Sequence, residues 1–339
     1  MSNSCNPCGA KIVVIGGGTG SFVLLSGLKN YAHELTALVS MADDGGSTGV
    51  LRDEYGALPP GDVRQCLVAL SSSPRVRELF SYRFDQGSLS GHVFGNLFLT
   101  ALQNMTGSFA AAVDLAEQVL RVNGHVVPVT LDDIELVVKD GQRLIYGESQ
   151  VSYGKIISRT PKIHVRLKKG YGRVKLNPAA TTAIMRADLV VIAPGNLYGS
   201  IAPALATPGM GETLAKSPAR KIYVTNLVNK PGQTDGYSVS DYAAEIERVA
   251  GKNFLDYVIY NTKQPSQELL DKYATSGELP VLIDKEKLKQ AHYKSVGGKL
   301  LAGEIWQNQS RKDPLAGKRT LIRHDSDATA RAIMKIFFS

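Results

Sequence analysis

Four glycines in five positions, Gly16, Gly17, Gly18 and Gly20, broken only by Thr19, separate the apolar run "KIVVI" from the helix-like "SFVLLSGLKNYA". The first N–H groups of a helix lack partners and sit at the positive end of its dipole. Glycines that admit close backbone approach therefore make such a start a phosphate cradle. The spacing fits neither common version of that cradle. Read as G-x-G-x-x-G, the last place falls on Ser21 or Val23, and no Walker lysine follows. A tight turn without a ligand is the competing reading.

The segment "MADDGGSTGVLRDEYGALPPGDVRQCL" (41–67) brings Asp43, Asp44 and Asp62. A carboxylate at this strand end is placed to take a ribose or sugar hydroxyl, or to hold a Mg²⁺ that bridges phosphates. Asp43–Asp44 also reads as a loop and capping pair, and Asp62 after "LPPG" reads equally as an N-cap. "GHVFGNLFLTAL" (91–102) opens a second helix on a glycine turn carrying His92 and Asn96. A lone His without a carboxylate or metal set is more often a hydrogen-bonding residue than a catalyst. In "APGNLYGSIAPAL" and "TNLVNKPGQTDGYSVSDY", Asn196, Asn226, Thr234 and Asp235 suit base, ribose and sugar edges, with Asx and Gly turn chemistry as the alternative. No nucleophile elbow, HExxH helix or cysteine-nucleophile context is present, so these motifs offer binding more readily than chemistry.

The elements that must position them read as an α/β fold. Residues 11–41 form a βαβ pattern, and short apolar runs at 187–196, 220–226 and 255–261 end in turn chemistry, as parallel strands do. Binding crevices in such sheets lie beyond the carboxyl ends of the strands, where strand order reverses. Helical stretches between them predict helices that cover the sheet, and residues 125–176 predict a small β-rich insertion. Residues 1–10 read as a disordered tail, with Cys5–Cys8 too isolated for a zinc site. Hydrophobic residues make up 43% and charged residues 21% of the 339, which fits a globular chain. No secretory signal or membrane-spanning run is evident, which sets a cytoplasmic expectation. Part of the net charge of +8 gathers in "RTPKIHVRLKKGYGRVK" (159–175), which lacks any acid. A solvated strand edge, a surface for an acidic partner and a nucleic-acid contact are its three readings, the last disfavoured.

Taken together, "GGGTG", "ADDGGSTGVLRDEYGALPPGDVRQCLVAL", "GHVFGN", "APGNLYGSI", "NLVNKPGQTDGYSVSDY" and "RHD" (323–325) resemble the YvcK branch of the YvcK/CofD family, also called UPF0052. The resemblance implies a Rossmann-like parallel sheet with helices on both faces that binds UDP-N-acetylglucosamine in its crevice. It also implies a cytoplasmic regulatory role in gluconeogenic growth, cell shape and wall synthesis, a homodimer, and a cell-wall or regulatory protein partner. No cofactor is required on this reading, and any Mg²⁺ would fall to Asp43 and Asp44. Mapped by motif, Gly16 to Gly20 would lie against the diphosphate, and Asp43 and Asp44 would edge the sugar. Asn196, Leu197, Tyr198 and Ser200 would complete the wall. Tyr273 in "LLDKYA" and Arg323 in "LIRHD" align with nucleotide-sugar contacts, although Tyr273 also reads as an ordinary helix-face aromatic. The sister CofD branch implies the alternative, a Mg²⁺-dependent transferase of a phospholactyl-type group. A nicotinamide oxidoreductase is disfavoured because the dinucleotide fingerprint fails.

Overall fold

The computed structural model describes residues 9–303 and 322–339; the Cys5–Cys8 pair and most of the predicted tail lie outside the described residues. Its strands are β1 (Lys11–Ile15), β2 (Glu34–Val39), β3 (His125–Pro128), β4 (Ile134–Asp140), β5 (Arg143–Tyr146), β6 (Lys162–Leu167), β7 (Leu189–Ile192), β8 (Arg220–Val224), β9 (Tyr257–Asn261) and β10 (Lys294–Gly298). Seven of them form one sheet in the order β10-β9-β8-β7-β1-β2-β3. Every pairing in it is parallel, with β1 registered against β2 from Lys11–Glu34 to Ile15–Leu38 and against β7 from Ile12–Leu189 to Ile15–Ile192. The runs "VVI" and "LVVI" carry no polar alternation because helices cover both faces of the sheet.

The chain leaves β1 towards β2 and β3, then returns to β7 and proceeds outwards to β10. Right-handed crossovers therefore place the two sets of helices on opposite faces. On the first face α1 (Gly18–Leu28) packs against α3 (Gly61–Leu70) and the C-terminal helix Ser326–Phe337. Between α1 and α3 comes α2 (Gly46–Tyr55). After α3 follow α4 (Pro74–Ser81), α5 (Phe94–Thr106) and α6 (Phe109–Leu120). On the second face helix Met210–Lys216 lies against Pro178–Arg186 and Val239–Ala250. The β1–β7 junction is the switch in strand order.

The β-rich insertion is narrower than its sequence pattern. β3 joins the main sheet beside β2, whereas β4, β5 and β6 form a separate antiparallel sheet in the order β5-β4-β6. A short helix, α7 (Glu148–Tyr153), follows β5 directly.

The first face depends on close helix approach. A Cβ at Gly27 would lie 2.2 Å from the Ser326 carbonyl oxygen, a backbone atom that cannot swing aside. Gly27→Ala should push α1 off the C-terminal helix and cost about 1–3 kcal/mol, measured as a lower urea midpoint with an unchanged slope. An unchanged midpoint would show that this contact relaxes freely.

Candidate functional site

Three strand ends meet at the switch. β1 passes through Gly16 and Gly17 into α1, and each glycine answers a close neighbour. A Cβ at Gly20 would stand 1.7 Å from the Pro194 carbonyl oxygen beyond β7, and one at Gly17 would stand 1.9 Å from Asp62 Oδ2. Gly18 has a positive φ of 65° and an amide that donates to Asp62 Oδ1 at 3.0 Å. The N-terminus of α1 thus holds a carboxylate of its own chain, with the dipole and a charge-assisted hydrogen bond both favourable. Asp62 lies in the first turn of α3, whose N-cap is Pro60; it caps α1 rather than its own helix.

Beyond β2, the Asp43 carboxylate accepts from Gly45 N at 3.0 Å, and the buried Arg52 donates to the Asp43 carbonyl at 2.8 Å. Arg52 also donates to the Asp133 carboxylate and the Ile134 carbonyl, fixing this loop to the entry of the inserted sheet. Asp44 turns the other way: its Oδ1 accepts from Ser149 N at 2.7 Å in the first turn of α7. The residue that shares a cavity with Asp43 is therefore Asp62, joined by Glu148 of α7. This cavity, about 180 Å³ in volume, is lined by Ser40, Asp43, Asp62, Gln65, Glu148, Gly199 and Ser200.

The other predicted residues are spread around the cavity and away from it. Asn196 stays at the rim: its Oδ1 accepts from Gly199 N at 3.2 Å and its Nδ2 donates to Ser152 Oγ at 2.8 Å, while Ser152 itself donates to Glu148. Thr19 is exposed on the first turn of α1. Leu197 and Tyr198 are buried, with the Tyr198 hydroxyl 2.9 Å from that of Tyr237, so these two rings and chains fill the core. Asn226 clamps Gly195 by donating to its carbonyl and accepting from its amide. Thr234 accepts from Lys230 N, and Asp235 accepts from Asn229 Nδ2 and Gly232 N, so both organise their own loop. His92 and Asn96 meet at Ser47, 3.1 and 3.4 Å away, and Arg64 donates to Asn96 Oδ1. Tyr273 is buried beside Leu301 and Ile322, and its hydroxyl accepts from Ile322 N at 3.0 Å, one residue before the half-buried Arg323. The cavity and the Tyr273–Arg323 region are separate places on the carboxyl edge of the sheet.

Glu148, Ser40 and Gln65 are lining residues that motif reading did not single out. Glu148 opens α7 directly after Gly147, whose φ is positive, but nothing in "YGES" itself ties that helix start to the cavity.

Gathering carboxylates in a confined space raises their proton affinity. Asp62 and Glu148 are each pushed up to about 7, and Asp43 is raised as well. Loss of hydration is the first cause for all three, and repulsion from a neighbouring carboxylate adds to it. Among the described residues, no group of three His, Cys, Asp or Glu side chains closes around one point as a metal cage. The arrangement can share protons, accept hydrogen bonds from sugar hydroxyls, or offer hard oxygen donors to a cation that keeps other ligands.

The sign of the pH effect follows. A carboxyl with a higher pKa in the folded chain holds its proton more tightly there, so this contribution is full below about pH 4 and is lost as the pH climbs to about 7. With a chelator present, Asp62→Asn should flatten the fall in melting temperature between about pH 5 and pH 7.5. It should also raise the value at the upper end, by roughly 1 kcal/mol of stability. Parallel wild-type and variant curves would contradict the reading.

Comparison with known proteins gives the same answer from sequence and from shape. Residues 12–301 match the family described as 2-phospho-L-lactate transferase CofD. A gluconeogenesis factor of Bacillus subtilis is 37% identical over 334 residues, covering 96% of this chain and 98% of that one. Another from Listeria innocua is 38% identical over 339 residues, covering 98% and 97%. The crystal structure of a UPF0052 member from Bacillus halodurans superposes with a TM-score of 0.84 at 35% identity, covering 96% of this chain and 99% of that one. With the family match spanning most of the chain and these relatives aligned nearly end to end, the protein belongs to the YvcK/CofD (UPF0052) family, among relatives named gluconeogenesis factor.

Proposed function

We propose that the protein binds a nucleotide sugar, UDP-N-acetylglucosamine, along the carboxyl edge of the sheet, and that it acts as a regulator in gluconeogenic growth and cell-wall synthesis. The observation that carries this reading is the polar cavity at the β1–β7 switch, where doubly wound sheets take their ligands. Ser40, Gln65, Ser200 and the carboxylates around it are groups suited to hydroxyl and amide edges. The names of the relatives support the gluconeogenic setting.

The carboxylates also qualify how a diphosphate would be held. The α1 amide that would meet a phosphate is engaged by Asp62, and three acids beside two phosphates repel unless a cation intervenes. Asp43 and Asp62 supply hard oxygen donors that fit Mg²⁺, which usually takes one or two protein carboxylates together with phosphates and water. The ion would supply charge neutralisation of the phosphates. The chain's own part is to orient the sugar through Asn196, Ser200 and Glu148, with Glu148 able to hold its proton near neutral pH and so to donate to a sugar oxygen as well as accept from a hydroxyl.

The same carboxylates and the family match favour a second reading, a Mg²⁺-dependent transferase of a phospholactyl-type group. Titration calorimetry with UDP-N-acetylglucosamine, with and without Mg²⁺, followed by chromatography of the recovered nucleotide, separates the two. The binding reading expects saturable, Mg²⁺-strengthened heat and intact nucleotide, with Asp43→Asn weakening the Mg²⁺-supported affinity roughly tenfold. Absence of binding refutes it, and a consumed nucleotide moves the assignment to the transferase.

A further inference from the structure

The sheet β5-β4-β6 covers the core with one face and turns the other outwards. On the outward face the pairings set three rows: Leu144, Lys139 and Lys162; Tyr146, Val137 and His164; Glu135 and Arg166. Val137, at the centre of this face, is buried without joining the main core. Arg166 stacks over the Tyr146 ring at 4.7 Å and pairs with Glu135, which closes that end of the face. The other end is unbalanced. Lys139 and Lys162 stand directly opposite each other, both exposed, and neither makes an ion pair among the described residues. Like charges directly across a sheet destabilise it.

A solvated edge that discourages sheet pairing would account for Lys162 on the edge strand β6. It does not account for Lys139, which is on the central strand, nor for the exposed Leu144 and Tyr146 beside it. Cations flanked by an aliphatic and an aromatic side chain match a ligand that carries carboxylates and apolar groups alternately. A polyphosphate matches less well, because Glu135 stands on the same face and already neutralises Arg166. We propose that the outward face of this sheet, centred on Lys139, Lys162, Leu144 and Tyr146, is a docking surface for an extended acidic protein segment with apolar side chains. The acids of the segment would relieve the Lys139–Lys162 repulsion while its apolar groups cover Leu144 and Tyr146.

The test uses the full chain and a short fluorescein-labelled peptide of Glu-Leu-Glu-Tyr repeats, read by fluorescence anisotropy at low and high salt. An oligothymidylate of equal charge serves as competitor. Lys139→Glu combined with Lys162→Glu should weaken peptide binding at least about tenfold, whereas Lys252→Glu with Lys285→Glu, the same charge change elsewhere, should alter it less than about twofold. Lys162→Glu alone creates an opposite-charge pair and should melt no lower than wild type, which keeps loss of binding separate from loss of folding. The proposal is overturned if wild type does not bind the peptide. It also fails if both double variants lose binding equally, or if oligothymidylate binds more tightly and is lost with the same pair.

Discussion

Everything at the carboxyl edge depends on how closely two backbones approach at the switch in strand order. The first turn of α1 lies against the Pro194 carbonyl with no room for a side chain at Gly20. The Asp62 carboxylate occupies the space a Gly17 side chain would take. Those two approaches set where α1 begins relative to β7, and hence where Ser200 and Gly199 stand relative to Asp43 and Asp62. Widening either would open the cavity and separate the carboxylates that define its chemistry.

The second constraint is charge. Three acids whose proton affinities are all raised form a site that is costly to leave fully ionised and becomes favourable when a proton or a cation is shared. A stabilising arrangement would have placed a lysine or arginine in the cavity lining, and among the described residues none lines it. Instead, Arg52 holds the backbone beneath Asp43, and Arg64 is turned to Asn96. Both guanidinium groups support the loops, and their attraction offsets only part of the burial and mutual repulsion that raise Asp43 and Asp62.

The sheet was legible where burial is complete. "KIVVI" and "DLVVIAPGN" read as strands because parallel strands covered on both faces are uniformly apolar, and the glycine turn marked the switch. β10 was not legible, since "KSVGG" is a half-exposed edge whose Gly297 lies under the Tyr260 ring. β3 reads as part of the insertion because its partner, β2, is 89 residues away along the chain in every registered pair. Of the residues that line the cavity, Asp43, Asp62 and Ser200 stand in the sequence motifs, but the motifs carry no side-chain directions: Asp44 faces α7, and Tyr198 faces the core. Glu148 escaped because tertiary folding alone brings α7 to the cavity, through a bond between residues 105 positions apart.

That last contact changes how the insertion is understood. A surface elaboration could be removed without touching the crevice. Here, β5 runs through Gly147 straight into Glu148, and the close fit of Gly147 against the Asp44 carboxylate fixes the turn. Gln233 donates to the carbonyls of Val151 and Gly154, so the 229–235 loop holds the far end of α7. Two site segments from the main sheet therefore grip a helix supplied by the inserted one. The inserted sheet thus reaches the site through α7, and its outward face lies two residues, from Tyr146 to Glu148, from the acid that lines the cavity.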